Sequence, residues 1–406
     1  MFFALSHAHA LNLCIAMFLH FNTCQPPLPR FFRKPDSFPA LTVPFLYARL
    51  LFMIEYQLFL ILILLSEPAA DDLFSERTIT HMSNKYIGID LGGTNIKVSV
   101  FDERFNKLGE KRTPIEVLFG SEHVLNRILE NVLSLLKELE YTPSDITCMG
   151  IGVPGILDIP NGISRFSPNF PKWKEVPIVA WMENHLHIPT FIDNDARVNL
   201  YGEWKFGAGK NRRNVLMVTL GTGLGGAAVV DGKVLYGATG SAGEIGHINM
   251  YRHGRECRCG SSGCLGRYVS ALGILRTFRE KVEEGRHSII CDWVNDDLQA
   301  VTADMLSQAY DEGDPLVVET MQETGELLGY GLCAVFSLYN PEIIIFGGGM
   351  SNMGDRLLQY TKDILDTHAL RIPYSACTIV TAVWGDAAGM LGAAVYAKEQ
   401  YEKENL

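Results

Sequence analysis

Basic residues are scarce in this chain of 406 residues. Lysine and arginine number 35 against 46 aspartates and glutamates, which gives a formal net charge of −11. A negative chain is repelled by a phosphate backbone, so the composition argues against nucleic acid as a general partner. The length allows two domains of ordinary size, each with a sizeable core.

Cysteine is also sparse, and its nine residues are not spaced like a disulfide framework. Three of them crowd into residues 257–264, whereas Cys148, Cys291, Cys333 and Cys377 are isolated within apolar segments. Clustered thiols in a large enzyme usually bind metal, and isolated thiols usually fill the core. The pattern therefore predicts a reducing, cytoplasmic compartment.

Residues 1–81 lack a clean membrane span. The apolar run at residues 50–65 is interrupted by Glu55 and Gln57, and a span needs about 20 apolar residues. The segment also lacks the basic start and small-residue cleavage site of a signal peptide. A start placed upstream of Met82, a membrane anchor and a third domain all stay open. Because the first recognisable strand follows Met82, we interpret residues 1–81 as a non-native or non-conserved extension, and membrane association is not expected.

Glycine-rich turns directly follow apolar strands at three places. The first lies at residues 91–95, between two stretches of period-two alternation, and the second at residues 221–226 has the same surroundings. The third, residues 347–349, follows the predicted strand at 343–346. One such loop is equally well explained as a tight turn. Three are better explained by anion binding, because glycines leave successive N–H groups unobstructed.

The motifs of two common nucleotide-binding folds are missing. No Gly-x-x-x-x-Gly-Lys-Ser/Thr sequence occurs, and no Gly-x-Gly-x-x-Gly follows the first strand. Helical periodicity covers residues 121–139, with Ser121 placed to cap, and residues 316–338, while a further strand covers 146–153. Strands that alternate with helices predict α/β layers, and the repeated hairpin predicts two similarly built lobes.

A metal site is predicted by His247, Cys257, Cys259 and Cys264. They offer one imidazole and three thiols within eighteen positions. This donor set fits a closed, tetrahedral, structural Zn²⁺ site. An isolated Cys-x-Cys pair often has no such role, so the prediction depends on the complete set.

The ordered motifs resemble those of the ROK family (repressor, open reading frame, kinase) of sugar kinases. Asp90-Leu-Gly-Gly-Thr-Asn95 resembles the first phosphate loop of the hexokinase–actin–chaperone ATPase fold. Residues 220–226 resemble its second phosphate loop, and residues 347–349 its adenosine loop. Residues 237–247, followed by the cysteine cluster, narrow the resemblance to the ROK family. The resemblance covers about residues 85–397 and implies a two-lobed α/β fold with the active site in the interlobe cleft.

The resemblance also implies how the lobes divide the chain and hold ATP with Mg²⁺. The small α/β lobe would take residues 84–193 and about 387–401, and the large lobe residues 194–386 with the zinc motif. Asp90 would orient Mg²⁺ and its water. The implied ATP-binding residues are Asp90, Gly92, Gly93, Thr94, Asn95, Lys97, Gly221, Thr222, Gly223, Gly347, Gly348 and Gly349.

The sugar would be held and activated beside Asp195. Under the resemblance, Asp195 accepts the proton of the attacking hydroxyl, and Asn194 binds a neighbouring hydroxyl. Without the resemblance, Asp193 and Asp195 are better interpreted as helix-capping or turn residues. Zinc on His247 would shape the sugar pocket by fixing the imidazole ring. The implied sugar-binding residues are Asn169, Asn194, Asp195, Glu244 and His247.

The resemblance implies an ATP-dependent hexose kinase that phosphorylates the 6-hydroxyl, and it favours glucose. N-acetylmannosamine, N-acetylglucosamine, fructose and allose stay open as substrates. One position departs from the family pattern, because Gly266 stands where the family has a glutamate that grips the sugar. Three effects of this change stay open: the sugar pocket binds more weakly, it is adapted to a different sugar, or water fills the space of the missing side chain.

Two further expectations concern partners. The resemblance implies a homodimer. It also raises a rival function, because some ROK members are sugar-responsive transcriptional regulators with an N-terminal DNA-binding segment. Residues 1–81 lack the basic face and helical periodicity of a DNA reader, and the retained phosphate loops favour catalysis.

Overall fold

The computed structural model describes residues 84–167, residue 170 and residues 172–406. The predicted extension at residues 1–81 and the sugar contact predicted at Asn169 lie outside that part of the chain. Within it, none of the helices combines the length and the apolar character needed to cross a bilayer. The described residues form two five-stranded sheets, a three-stranded sheet and covering helices, which confirms the predicted α/β class.

The strands and helices are numbered in chain order. The strands are β1 (Tyr86–Leu91), β2 (Asn95–Phe101), β3 (Lys107–Pro114), β4 (Cys148–Val153), β5 (Ile156–Asp158), β6 (Ile163–Phe166), β7 (Lys174–Val176), β8 (Thr190–Asn194), β9 (Val215–Leu220), β10 (Leu224–Val230), β11 (Lys233–Val234), β12 (Ile343–Gly347) and β13 (Thr378–Thr381). The helices are α1 (Ser121–Glu138), α2 (Ile178–Leu186), α3 (Asp195–Phe206), α4 (Gly266–Val269), α5 (Ala271–Glu283), α6 (Ile289–Trp293), α7 (Ala303–Asp311), α8 (Pro315–Tyr339), α9 (Asp355–His368), α10 (Arg371–Ser375) and α11 (Ala388–Glu404).

The two five-stranded sheets share one topology. Sheet one has the order β3-β2-β1-β4-β8, and sheet two has the order β11-β10-β9-β12-β13. In each sheet the first strand along the chain pairs antiparallel with the second and parallel with the fourth. The fourth strand pairs parallel with the fifth. The hairpin repeat predicted from the sequence is therefore confirmed, and it extends to the whole sheet.

Parallel pairing places the polar strand ends of sheet one side by side. Asp90 of β1 is in register with Gly152 of β4, and Gly152 is in register with Asp193 of β8. The residues that follow Asp193 therefore emerge at the same edge of the sheet as the first glycine loop. This edge is where ligands bind in parallel α/β sheets.

Helix α11 packs unusually closely on sheet one and on α3. A Cβ on Gly88 of β1 would lie 1.8 Å from the Met390 carbonyl oxygen, and one on Gly150 of β4 would lie 1.9 Å from that of Ala393. A Cβ on Gly392 would lie 1.7 Å from the Val198 carbonyl oxygen in α3. Because α3, which begins at Asp195, contacts β4 and β8 of sheet one as well as β9 and β10 of sheet two, it connects the two sheets.

Most element boundaries match the sequence pattern, with one local error. Helix α1 covers the predicted stretch, but Ser121 is its first residue and not its cap, because Gly120 holds that position with φ 96°. Only glycine adopts this conformation at low cost. Helix α8 begins one residue before the predicted start and ends at Tyr339, where the left-handed residue Asn340, with φ 43°, caps it.

Candidate functional site

The first glycine loop joins β1 to β2 on the side of sheet one where strands β1, β4 and β8 end. The Gly92 N–H donates to the Asn95 carbonyl oxygen at 3.0 Å, which closes a tight turn. Gly93 and Thr94 at its tip are exposed. The tip of the turn is therefore open to the space outside the strand ends.

The second glycine loop joins β9 to β10 in sheet two and faces the first. The Gly221 N–H donates to the Gly223 carbonyl oxygen at 2.9 Å. A Cβ on either glycine would meet no atom within 4 Å, so open space lies beside both. The Thr222 Oγ1 atom lies 3.9 Å from the position of a Cβ on Gly93. The structure thus brings together the two loops predicted to bind phosphate.

The third glycine loop follows β12 and packs against the end of β9. Gly348 has φ 84°, and a Cβ there would lie 2.3 Å from the Leu220 carbonyl oxygen, so only glycine fits. Gly349 is exposed, with open space where a Cβ would be. This loop continues the same edge of sheet two as the second loop.

Asp90 is buried at the end of β1 and pairs with a lysine. Lys97 Nζ lies 3.4 Å from Asp90 Oδ2 and 3.5 Å from Asp386 Oδ1. Arg112 contacts the second oxygen of Asp386 at 2.5 Å. Burial raises the pKa of Asp90, while the charge of Lys97 opposes that shift. The sequence predicted Asp90 and Lys97 but missed Arg112, which is in register with Lys97 on the neighbouring strand β3, and Asp386, which lies far away along the chain.

Three polar residues follow one another where β8 ends and α3 begins. Asn194 caps α3, because its Oδ1 accepts from the Ala196 N–H at 3.0 Å. Asn194 therefore takes the helix-capping role that the sequence, without the family resemblance, suggested for its neighbours Asp193 and Asp195. Asp193 is fully buried, and its oxygens accept hydrogen bonds from Arg197, Tyr236 and the Asn194 N–H.

Asp195 is the carboxylate of this segment that stays accessible. It is half-buried, and its Oδ1 accepts only from the adjacent Ala196 N–H, at 2.9 Å, among the contacts described. Burial, reinforced by the charges of Asp90 and Glu244, raises the pKa of Asp195 to about 7. A carboxylate with a pKa near the working pH is well matched to accept a proton from a hydroxyl.

Glu244 and His247 lie together on a single helical turn. Glu244 precedes the 3₁₀ turn Ile245–His247, and the His247 N–H donates to the Glu244 carbonyl oxygen at 3.0 Å. Both side chains are exposed. The charge of Glu244 also raises the pKa of Asp195, so one of the two predicted sugar contacts lies near the candidate base.

The four predicted metal ligands converge. The candidate ligand atoms of His247, Cys257, Cys259 and Cys264 all lie within 4.8 Å of one another. His247 Nδ1 lies 3.7 Å from Cys257 Sγ, and the Sγ atoms of Cys259 and Cys264 are 3.7 Å apart. A tetrahedron with Zn–S bonds of about 2.3 Å has sulfur atoms roughly 3.8 Å apart. The donor set and its spacing therefore fit zinc.

Two glycines allow the cysteine loop to close. Gly260 and Gly263 have φ 91° and 72°, and a Cβ on Gly263 would lie 1.7 Å from the Tyr251 carbonyl oxygen. The Cys257 N–H donates to the Ser261 carbonyl oxygen at 2.8 Å. Since Nδ1 of His247 faces the thiols, the opposite ring nitrogen, Nε2, is directed away from them.

Position 266 lies between the second glycine loop and the 3₁₀ turn that ends at His247. A Cβ on Gly266 would lie 3.3 Å from the Gly246 carbonyl oxygen and 3.3 Å from Leu224 Cβ. Leu224 begins β10, and Gly246 directly precedes His247. A side chain at this position must therefore displace its neighbours slightly to fit.

A family model described as "ROK family" matches residues 86–400 of the chain. The chain is 34% identical to a glucokinase of Thermotoga maritima over 316 residues, which is 78% of this chain and 98% of that protein. It is 27% identical to the DNA-binding transcriptional repressor Mlc of Escherichia coli over 278 residues, or 68% of this chain and 67% of the repressor. Among solved structures, it resembles a ROK family glucokinase from Streptomyces griseus in complex with glucose and AMPPNP. That match has a TM-score of 0.68 and 29% identity, and covers 78% of this chain and all of the other.

Proposed function

The chain belongs to the ROK family, and from that premise we propose that it is an ATP-dependent hexose kinase. It transfers the γ-phosphoryl group of ATP to a sugar hydroxyl. The relatives named glucokinase and the glucokinase structure with glucose and AMPPNP support this reaction. The resemblance of the two-lobed fold supports a site in the cleft between the lobes.

The observation that carries the proposal is the accessible Asp195 beside two opposed glycine loops. Asp195 accepts the proton of the sugar hydroxyl as its oxygen attacks the γ-phosphorus, and ADP leaves. Asp193 is a poor rival for this role, because its oxygens are already occupied by buried donors. A positioned base of this kind contributes about 10²- to 10⁴-fold.

The ATP side is assigned to the three glycine loops and to Asp90. The N–H groups of the first and second loops bind the phosphates, and the loop at Gly348 binds the adenosine. Asp90 fits a role in holding hydrated Mg²⁺, since it is a carboxylate at the end of β1 near the first loop. Bound Mg²⁺ would neutralise the charge that develops on the phosphates.

The sugar side is assigned to Asn194, Glu244 and His247, with glucose as the favoured hexose and its 6-hydroxyl as acceptor. His247 and the three cysteines would hold Zn²⁺, which would fix the imidazole ring and leave its Nε2 atom available to bind a sugar hydroxyl. The metal in this proposal is structural and takes no part in phosphoryl transfer.

A transcriptional regulator is the second candidate, because the chain is 27% identical to the repressor Mlc. The presence of Gly266, where the family has a glutamate that binds the sugar, is also compatible with a protein that binds the sugar as a signal and not as a substrate. The retained Asp195 and glycine loops favour the kinase. As in the family resemblance, we expect the kinase to be a homodimer.

The decisive experiment measures sugar-dependent ADP release from purified protein against a panel of hexoses and N-acetylhexosamines. We expect turnover that requires both ATP and Mg²⁺ and is highest with one hexose. A protein that releases no ADP with any sugar, but shifts an operator DNA fragment in a sugar-dependent way, would be the regulator instead.

The metal proposal is tested by elemental analysis of the same preparation. We expect about one zinc per chain, and loss of zinc together with sugar affinity in Cys257→Ser. Cys333→Ser is the control, because Cys333 lies in α8 outside the cluster. Active protein without zinc would disprove the assignment.

A further inference from the structure

A buried group of three side chains, those of Asp193, Arg197 and Tyr236, connects two parts of the candidate site. One is the β8–α3 junction, which carries Asp195, and the other is the loop that leads into Glu244 and His247. Arg197 Nε donates to Asp193 Oδ1 at 2.5 Å, and the Tyr236 hydroxyl donates to Asp193 Oδ2 at 2.8 Å. Arg197 Nη1 donates to the Gly240 carbonyl oxygen at 2.7 Å. The Arg197 guanidinium also lies over the Tyr236 ring, 5.0 Å from its centre. Asp193 is fully buried and Arg197 is 3% exposed.

These contacts hold both ends of one short loop, residues 236–240. Tyr236 at its start is bound by Asp193, and Gly240 at its end is bound by Arg197. Since Asp193 and Arg197 also bind each other, the loop and the β8–α3 junction form a closed ring of hydrogen bonds. The loop leads directly into Glu244 and His247.

The start of this loop has further support, because the Tyr236 side chain packs beside Tyr201 and the two hydroxyls lie 3.4 Å apart. The outer side of the loop borders a cavity of about 450 Å³, whose other wall is the hairpin around Leu157 and Arg165. A hydrogen bond from the Ala242 N–H to the Tyr236 carbonyl oxygen closes the loop on itself at 3.1 Å. Beyond it, Gly243 packs on Gly226 in β10. Between these anchors, the Arg197–Gly240 bond fixes the loop relative to α3.

We infer that Arg197 is a positioning residue for the sugar, acting through Gly240 and Asp193 on the loop that faces Asp195. This inference rests on the proposed kinase function. Arg197 lies two residues after Asp195 in the first turn of α3, so it sets the distance between the base and the sugar segment. Phosphoryl transfer is sensitive to such a distance, because the hydroxyl must lie near the attacking geometry. Arg197 itself touches neither the γ-phosphoryl group nor the attacking oxygen.

Two substitutions separate positioning from stability. Arg197→Lys keeps a cation beside Asp193 but lacks the second donor that reaches Gly240, since lysine carries a single compact ammonium group. Tyr236→Phe removes the hydroxyl that donates to Asp193 at 2.8 Å, together with its longer contact to the Tyr201 hydroxyl at 3.4 Å. Arg213→Lys is the matched control, because Arg213 forms an exposed ion pair with Asp231 at a turn of sheet two. Each variant is assayed for the KM of sugar, the KM of ATP, kcat and Tm.

We expect Arg197→Lys to raise the KM of the best sugar by about tenfold and to lower kcat, while the KM of ATP stays unchanged. Tyr236→Phe should show the same pattern more weakly, and Arg213→Lys should match the parent. If both variants melt at a lower temperature but keep the parent values of KM and kcat, the group is structural only and the inference is wrong. If Arg197→Lys is insoluble, Tyr236→Phe alone decides by the same criterion. A parent protein without sugar-dependent turnover would overturn the proposed function as well, so the two failures are distinguishable.

Discussion

The two five-stranded sheets have the same topology, but their active edges carry different chemistry. The edge of sheet one bears side-chain charges, with Asp90 at the end of β1 and Asp195 just after β8. The corresponding edge of sheet two ends in the glycines at positions 221, 223, 348 and 349, which have no functional side chains. Both edges thus carry a glycine loop, and the edge of sheet one adds the two carboxylates.

This difference indicates a division of labour between equivalent frameworks. Backbone N–H groups bind phosphate in the ground state and the transition state alike, so their loss should appear mainly in the KM of ATP. A general base acts only as the proton moves, so its loss should appear in kcat. Substitution of the base Asp195 is therefore expected to change mainly kcat, and substitution of the glycine loop of sheet two mainly the KM of ATP.

The largest effect is expected at the edge of sheet one. Asp195→Asn keeps the shape of the side chain but removes the proton acceptor, so kcat should fall by at least about 10²-fold. The KM of ATP should stay close to the parent value. Steady-state kinetics on the best sugar measure both quantities.

The control for this variant is Asp231→Asn in the turn between β10 and β11. Asp231 is exposed and left-handed with φ 50°, a conformation that asparagine tolerates. Its ion pair with Arg213 is exposed and contributes little, so the variant should behave as the parent. Near-normal turnover in Asp195→Asn would place the base elsewhere and abolish the contrast between the sheets.

A pH profile sharpens the same contrast. Asp195 has a pKa raised to about 7 by burial and by Asp90 and Glu244. A base works only when deprotonated, so kcat/KM for the sugar should fall as the pH drops below 7. At pH 6 the loss should be about tenfold relative to the plateau. The residual activity of Asp195→Asn should lack this acid limb, and a limb that persists there belongs to another group.

At the edge of sheet two, Gly223→Val is expected to raise the KM of ATP by at least about tenfold. Gly223 is exposed, is not held in the left-handed region and has open space beside it, so valine should not disturb the fold. Its methyl groups would instead fill the space assigned to phosphate. The smaller Gly223→Ala should have a smaller effect, and Tm should not change. An unchanged KM of ATP in the valine variant would remove this loop from the phosphate site.

The sequence predicted the glycine loops and the metal ligands because each depends on residue types at short spacing, whereas Asp195 was predicted only through the family resemblance. Short stretches of sequence are enough to recognise apolar strands followed by glycines, or one histidine with three cysteines. The ring of Asp193, Arg197, Tyr236 and Gly240 could not be predicted in this way. Its hydrogen-bonded partners lie up to 43 residues apart in the chain, and they pair only when β8 and the loop at residues 236–240 meet. The spacing of Asp193 and Arg197, one helical turn, was the only local signal.

The smallest effect is expected where the two regions meet, at position 266. Gly266 touches Leu224 of the second hairpin and Gly246 of the sugar segment. Gly266→Glu restores the carboxylate of the family pattern, and a charge-assisted hydrogen bond typically contributes about 1.5–3 kcal/mol. The contact grips ground and transition states about equally, so the KM for glucose should fall by about tenfold while kcat stays unchanged.

Gly266→Gln is the matched control for this change, because it has the same shape without the charge. It meets the same crowding, with Gly246 O and Leu224 Cβ 3.3 Å from the new Cβ, so any steric cost is common to both variants. If only Gly266→Glu lowers the KM for glucose, the carboxylate binds the sugar. If both variants instead depress activity on an N-acetylhexosamine and leave glucose poor, the native sugar occupies the space beside Gly266. If neither KM changes, position 266 lies outside the pocket. Zinc content should be the same in all three proteins, since Cys264 is unchanged.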